Sequence, residues 1–257
     1  EIYSFYYYFC FVIKNKIMSF IQFAPNLYIA NDPSFGNYDR DIIHTLLASV
    51  DANFSVYLEI PPFISRDCYI IYNPNRPMCT DIGIGHQIYL NIQENYWCQW
   101  IYQFAHEYCH HLINGKFTGE TTGLTWFEES ICELASMFQL SLFYSSWSQS
   151  HEEYQTHYAP SLRDYLDALL SENPRLLSSA SHPGWLQSWD STLSGPESHQ
   201  DYYNVIATKM FPLFVEHPYL WKIILHLGDS RQWKTLDELF AHLHSKADDS
   251  YALPLQK

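Results

Sequence analysis

Residues 106–110 read His106-Glu107-Tyr108-Cys109-His110, two imidazoles four positions apart with a carboxylate beside the first. On a helix, side chains four apart differ by about 40° in azimuth, so both rings can reach one ion. Glu107 can then face a water held by that ion and serve as general base. A catalytic zinc takes three protein ligands and leaves its fourth place open. The segment Trp126-Phe127-Glu128-Glu129-Ser130 supplies a third ligand, with eighteen residues between His110 and Glu129. Glu128 competes for that role. Glu129 shares a helix face with Cys132, Glu133 and Ser136, whereas Glu128 lines up with Ile131 and Ala135. The more polar face favours Glu129.

This pattern resembles the gluzincin metallopeptidases, which carry H-E-x-x-H on one helix and a Glu ligand near the start of the next. Over roughly residues 87–140 the spacing and the W-F-E-E-S segment are similar to the W-x-x-E-G region of the M1 aminopeptidase-type enzymes. The resemblance implies one Zn2+ ion held by His106, His110 and Glu129, with Glu107 as the base in hydrolysis of a peptide bond. Glu133, one turn beyond Glu129, is expected to accept the outer N–H of His106, where thermolysin-like members carry an Asp. Tyr203, or its neighbour Tyr202, is expected to steady the oxyanion. The strand Gln87–Ile92 has two readings: the sheet edge that takes substrate backbone in extended form, or an ordinary half-buried strand. No G-x-M-E-N segment, which in M1 enzymes binds the substrate's free amino end, precedes the motif. That absence motivates a second function, a catalytically silent zincin-fold protein that binds zinc for an interaction or regulatory role. The presence of Glu107 favours the hydrolase, because a structural zinc site closes its fourth position and needs no base. His111, about 140° around the helix from His106, is expected toward solvent or beside the ligands.

The elements that must position these groups are legible as hydrophobic periodicity. Asp39–Val50 reads as a helix, Phe54–Ile60 as a strand stopped by Pro61-Pro62, and Tyr69–Tyr72 and Gln87–Ile92 as further strands. From Tyr96 the period becomes helical, with Trp97, Trp100, Ile101, Phe104, Ala105, Tyr108 and Leu112 on one stripe and Gly115 as a C-terminal cap. The H-E-x-x-H residues are expected on the opposite face. Thr125 is placed to cap the next helix. Beyond it, Tyr158–Leu170, Tyr202–Val215, Pro218–Leu227 and Thr235–His244 read as helices around a Ser/Pro-rich passage, Ser178–Pro196. The expected class is α+β and zincin-like, a small mixed sheet with an active-site helix followed by a mostly helical lobe. Its expected divisions are a non-native or disordered leader over 1–17, an N-terminal lobe over 18–115 and a helical lobe over 116–257, the two lobes forming one catalytic unit.

Composition narrows the partners. The 257 residues are 47% hydrophobic, 18% aromatic and 16% charged, ample for a packed core, and the formal net charge of −14 argues against nucleic acid or anionic lipid. A peptide or protein substrate is the expected partner. The apolar run Ile2–Ile13 is too short to span a bilayer and its lysines follow it, the wrong order for a secretory signal, so stable membrane insertion is not expected. The six cysteines contain no Cys-x-x-Cys pair, and only Cys68 and Cys79, flanking an apparent hairpin, are candidates for a disulfide. Unpaired thiols and the lack of an export signal lean toward the cytoplasm.

Overall fold

Ile43, Leu46, Leu47, Val50, Phe54 and Leu58 are all buried and recur at helical steps, and they form the inner face of one long helix, α1 (Arg40–Leu58). Asp39 caps it by accepting a hydrogen bond from Ile42 N at 3.1 Å, and Glu59 ends it in the left-handed conformation. The strand expected over Phe54–Ile60 is therefore not formed through residue 58. Its apolar alternation coincides locally with a helical period, and burial of Phe54 and Leu58 on the same face as Val50 decides for helix. Pro61-Pro62 lies outside the described residues. A computed structural model describes residues 8–13, 16–59, 66–114, 124–195, 199–228 and 233–246, with backbone alone at 8–13, 16–17 and 190–191.

The chain divides into two units, residues 1–115 and 116–257. The first carries a mixed sheet built from β1 (Tyr8–Ile13), β2 (Lys16–Ala24), β3 (Leu27–Ala30), β4 (Asp67–Tyr72), β5 (Met78–Asp81) and β6 (Gly85–Leu90). Its spatial order is β1-β2-β3-β4-β6-β5. The pairs β3–β4 and β4–β6 are parallel and the others antiparallel. Residues 8–13 and 16–17, expected within a leader, are strand residues here, β1 pairing with β2 from Tyr8↔Ile21 to Ile13↔Lys16. Alternating side chains fill both faces of the sheet. Phe20, Tyr28, Ala30, Tyr69 and Ile71 form one buried cluster, and Cys68, Ile70, Ile88 and Leu90 are fully buried at the alternate positions.

This topology decides between two readings of one strand and corrects a hairpin expectation. Of the two readings of Gln87–Ile92, the sheet edge is not met: residues 87–90 belong to β6, which is paired on both sides, so β5 is the edge there among the described residues. Cys68 and Cys79, expected to flank a hairpin and so to be candidates for pairing, lie on β4 and β5 with β6 between them. Two inter-strand steps put such backbones roughly 9–10 Å apart, beyond the reach of a disulfide.

α2 (Trp97–Asn114) packs on α1 and against β5 and β6. The expected cap at Gly115 lies outside the described residues. In the second unit, α3 (Thr125–Trp147) is buried along most of its length and packs against α4 (Glu153–Ser171) and α7 (Gln200–Glu216). A short helix, α5 (Pro174–Ser179), runs into the Ser/Pro-rich passage, which itself carries α6 (Trp185–Leu193). A 3-10 turn (Pro218–Ile223) runs into α8 (Ile224–Leu227), and α9 (Leu236–Lys246) closes the described chain. The fold is α+β. Among the described residues, no helix is long and apolar enough to cross a membrane.

Candidate metal centre

The first turn of α2 is pinned by Trp100, which is fully buried, packs on Phe35 at 5.2 Å between ring centroids and donates from Nε1 to the Glu94 carbonyl at 2.9 Å. From that anchor, Phe104, Tyr108 and His111 follow at steps of four, four and three, and all are buried. Glu107 joins them at 5% exposure. The expectation that the whole motif faces away from the core is therefore corrected: His106 and His110 are half-buried, while Glu107 between them turns inward. The rings of His106 and His110 stand 5.2 Å apart between centroids, inclined by 61°. One turn of helix has brought two imidazoles side by side.

His111 departs from its expected place. It is fully buried, and its Nδ1 lies 2.7 Å from Nδ1 of His86 on β6, itself 2% exposed. Burial, reinforced by His86 and Arg66, lowers the His111 pKa from 6.5 to about 3, so the ring is neutral at pH 7. Tyr108 stacks on His111 at 5.1 Å and donates its hydroxyl to Oδ1 of Asp51 on α1. At the end of β5, Asp81 pairs with Arg66 at 2.9 Å and accepts from Gly83 N at 2.6 Å, which lowers its pKa to about 2.

On α3, the helix starts at Thr125 itself: Leu124 occupies the cap position, with no side-chain hydrogen bond, so Thr125 does not cap. Glu128 is buried, Glu129 is half-buried and Glu133 is 1% exposed. Oε2 of Glu133 accepts from Nε2 of Gln200 at 3.3 Å. Tyr203 is buried on α7, whereas Tyr202 is half-buried and packs edge-on against Trp189 at 4.7 Å. Among the described residues, His106, His110 and Glu129 form a group that could hold a metal ion, one donor atom from each lying within 4.8 Å of the other two. Two imidazole nitrogens and one carboxylate oxygen are a donor set suited to zinc.

Sequence reasoning missed His86, Asp51 and Asp81 as groups near this helix, because long-range pairing brings them there. It also misplaced His111, for which a signal existed: the stripe Phe104, Tyr108 continues to 111 at a helical step of three. No family model, curated protein or solved structure matches this chain.

Proposed function

We propose that the chain is a zinc-dependent peptide hydrolase of zincin type, similar to the gluzincins, with His106, His110 and Glu129 as ligands. The observation that carries this reading is the disposition of α2: two half-buried imidazoles side by side, with a buried carboxylate between them in sequence. Zinc, when bound, supplies Lewis acidity toward a scissile carbonyl. The remaining work falls to the chain's own groups. Glu107 takes the proton of the attacking water on its carboxylate and returns it to the leaving amine. Its burial keeps bulk water from exchanging that proton between the two steps. Tyr203 or Tyr202 is the proposed donor to the oxyanion. An extended substrate backbone adds to the sheet along β5, the edge strand, rather than along β6.

The test is elemental analysis of the purified protein followed by a peptide-library screen with and without chelator. One equivalent of zinc and chelator-sensitive cleavage support the hydrolase. Bound zinc with no cleavage under any metal condition supports the silent zinc-binding protein instead, and an absence of bound metal after zinc loading overturns both.

A further inference from the structure

The buried histidine pair joins β6 to a face of α2 turned away from the proposed ligands. On a helical projection His106 and His110 lie within about 40° of each other, and Tyr108 and His111 lie about 100–200° around from them. Trp100 holds the first turn through its bond to the Glu94 carbonyl, but further along that inner face the apolar packing of Phe104 is non-directional, and packing of this kind tolerates small rolls of a helix. The Nδ1–Nδ1 contact at 2.7 Å does not, because a roll separates the two nitrogens inside a dry interior. A ligand nitrogen sits about 5–6 Å from the helix axis, so a 15° roll moves it by roughly 1.5 Å. Functional constellations hold only within about 0.5 Å.

We propose that His86 and His111 are positioning residues, whose buried Nδ1–H···Nδ1 hydrogen bond fixes the roll of α2 and so presents His106 and His110 together to one divalent cation. The inference rests on the metal reading above. The direction of the bond follows from the surroundings. His86 Nε2 stands 4.0 Å from Oδ2 of Asp81, which favours a proton on that nitrogen and leaves His86 Nδ1 as the acceptor. His111 Nδ1 then carries the donated hydrogen. His111 Nε2 is buried with no hydrogen-bond partner among the described residues, as suits a bare lone pair better than an unpaired N–H. Tyr108, stacked on His111 and bonded to Asp51, ties the same face of α2 to α1. Two directional ties, one to the sheet and one to the neighbouring helix, thus act on a single face.

The experiment compares the full chain with His86→Phe/His111→Phe, which keeps ring volume and removes the bond, and with His111→Asn, whose Nδ2 can stand where the imidazole Nδ1–H stood. Three readouts are taken: 15N spectra of the imidazoles without metal, the zinc dissociation constant, and the visible spectrum with Co2+ in place of zinc. The wild type is expected to show His111 protonated at Nδ1. The double Phe variant is expected to keep its melting temperature within a few degrees, bind zinc 10–100-fold more weakly and show an altered Co2+ spectrum, with His111→Asn recovering most of the affinity. Should the double variant not fold, His111→Asn against His111→Ala carries the comparison. Equal zinc affinity and Co2+ spectra in all folded variants, or a wild-type His111 protonated at Nε2, overturn the positioning role and leave the metal reading standing. A wild type that binds no zinc overturns the metal reading itself, and the positioning role with it.

Discussion

The Tyr108 hydroxyl donates to Oδ1 of Asp51, joining two residues that are fully buried and 2% exposed, on α2 and α1 respectively. A buried carboxylate left with fewer donors loses solvation that nothing restores. Tyr108→Phe is therefore expected to destabilise the protein by about 1–3 kcal/mol. Urea unfolding checks this: the midpoint falls while the slope stays constant.

Glu107→Gln is expected to separate binding from turnover. Glutamine is nearly isosteric, so the half-buried faces of His106 and His110 are undisturbed and bound zinc stays at one equivalent. The amide cannot take a proton from water, and cleavage falls by at least two orders of magnitude. Metal analysis and a fluorogenic peptide assay on one preparation measure both quantities.

The two neighbouring glutamates of α3 are distinguishable by the same logic. Glu129 contributes a donor atom within 4.8 Å of those from His106 and His110, whereas Glu128 is not in that group. Glu129→Ala is expected to weaken zinc binding by a factor of 100 or more, and Glu128→Ala by less than a factor of 10. Competition titration against a chromogenic chelator reads both values.

His44 sets an acid limit on stability away from the candidate centre. It stacks on Phe23 at 5.0 Å and is 7% exposed, and burial lowers its pKa from 6.5 to about 4, with Arg40 adding to the shift and Asp41 opposing it. Between these values the unfolded chain binds a proton that the folded chain does not, so stability falls as pH drops from 6.5 toward 4 and is fully present above 6.5. The group accounts for up to about 3 kcal/mol across that window. In His44→Phe the corresponding part of the slope of stability against pH disappears, as equilibrium unfolding at pH 4.5 and 7 shows.

Locally encoded features were the ones open to sequence reasoning. The stripe from Trp100 to Tyr108 places α2, and a four-residue spacing suffices to bring His106 and His110 side by side, because both facts depend on one helix. Phe54–Leu58 misled because aromatic and β-branched residues alternate there, while the longer 43-47-50-54-58 progression belongs to a helix already begun. The early strands escaped for two reasons. β2 and β3 are joined at Asn26, whose positive φ of 61° makes a tight turn with no Gly to mark it, and β1 lies in the stretch expected to be a leader. β5 spans four residues, too short for periodicity to register. The His86–His111 contact joins residues 25 apart through a sheet and a helix, so no local pattern carries it.

The place of β6 between β4 and β5 governs the order in which the molecule can assemble. β5 leaves the synthesising machinery before its only described neighbour exists, and it must wait for the following strand to close a hairpin across residues 82–84. That hairpin is a fast, local event; seating it beside β4 in parallel is a slower, non-local one. α2 begins at Trp97, seven residues after β6 ends at Leu90, and it packs on both α1 and the β5–β6 pair, so the sheet-facing part of its contacts depends on that strand insertion. The surroundings of His106 and His110 are accordingly completed by a long-range backbone pairing and not by the formation of α2 alone.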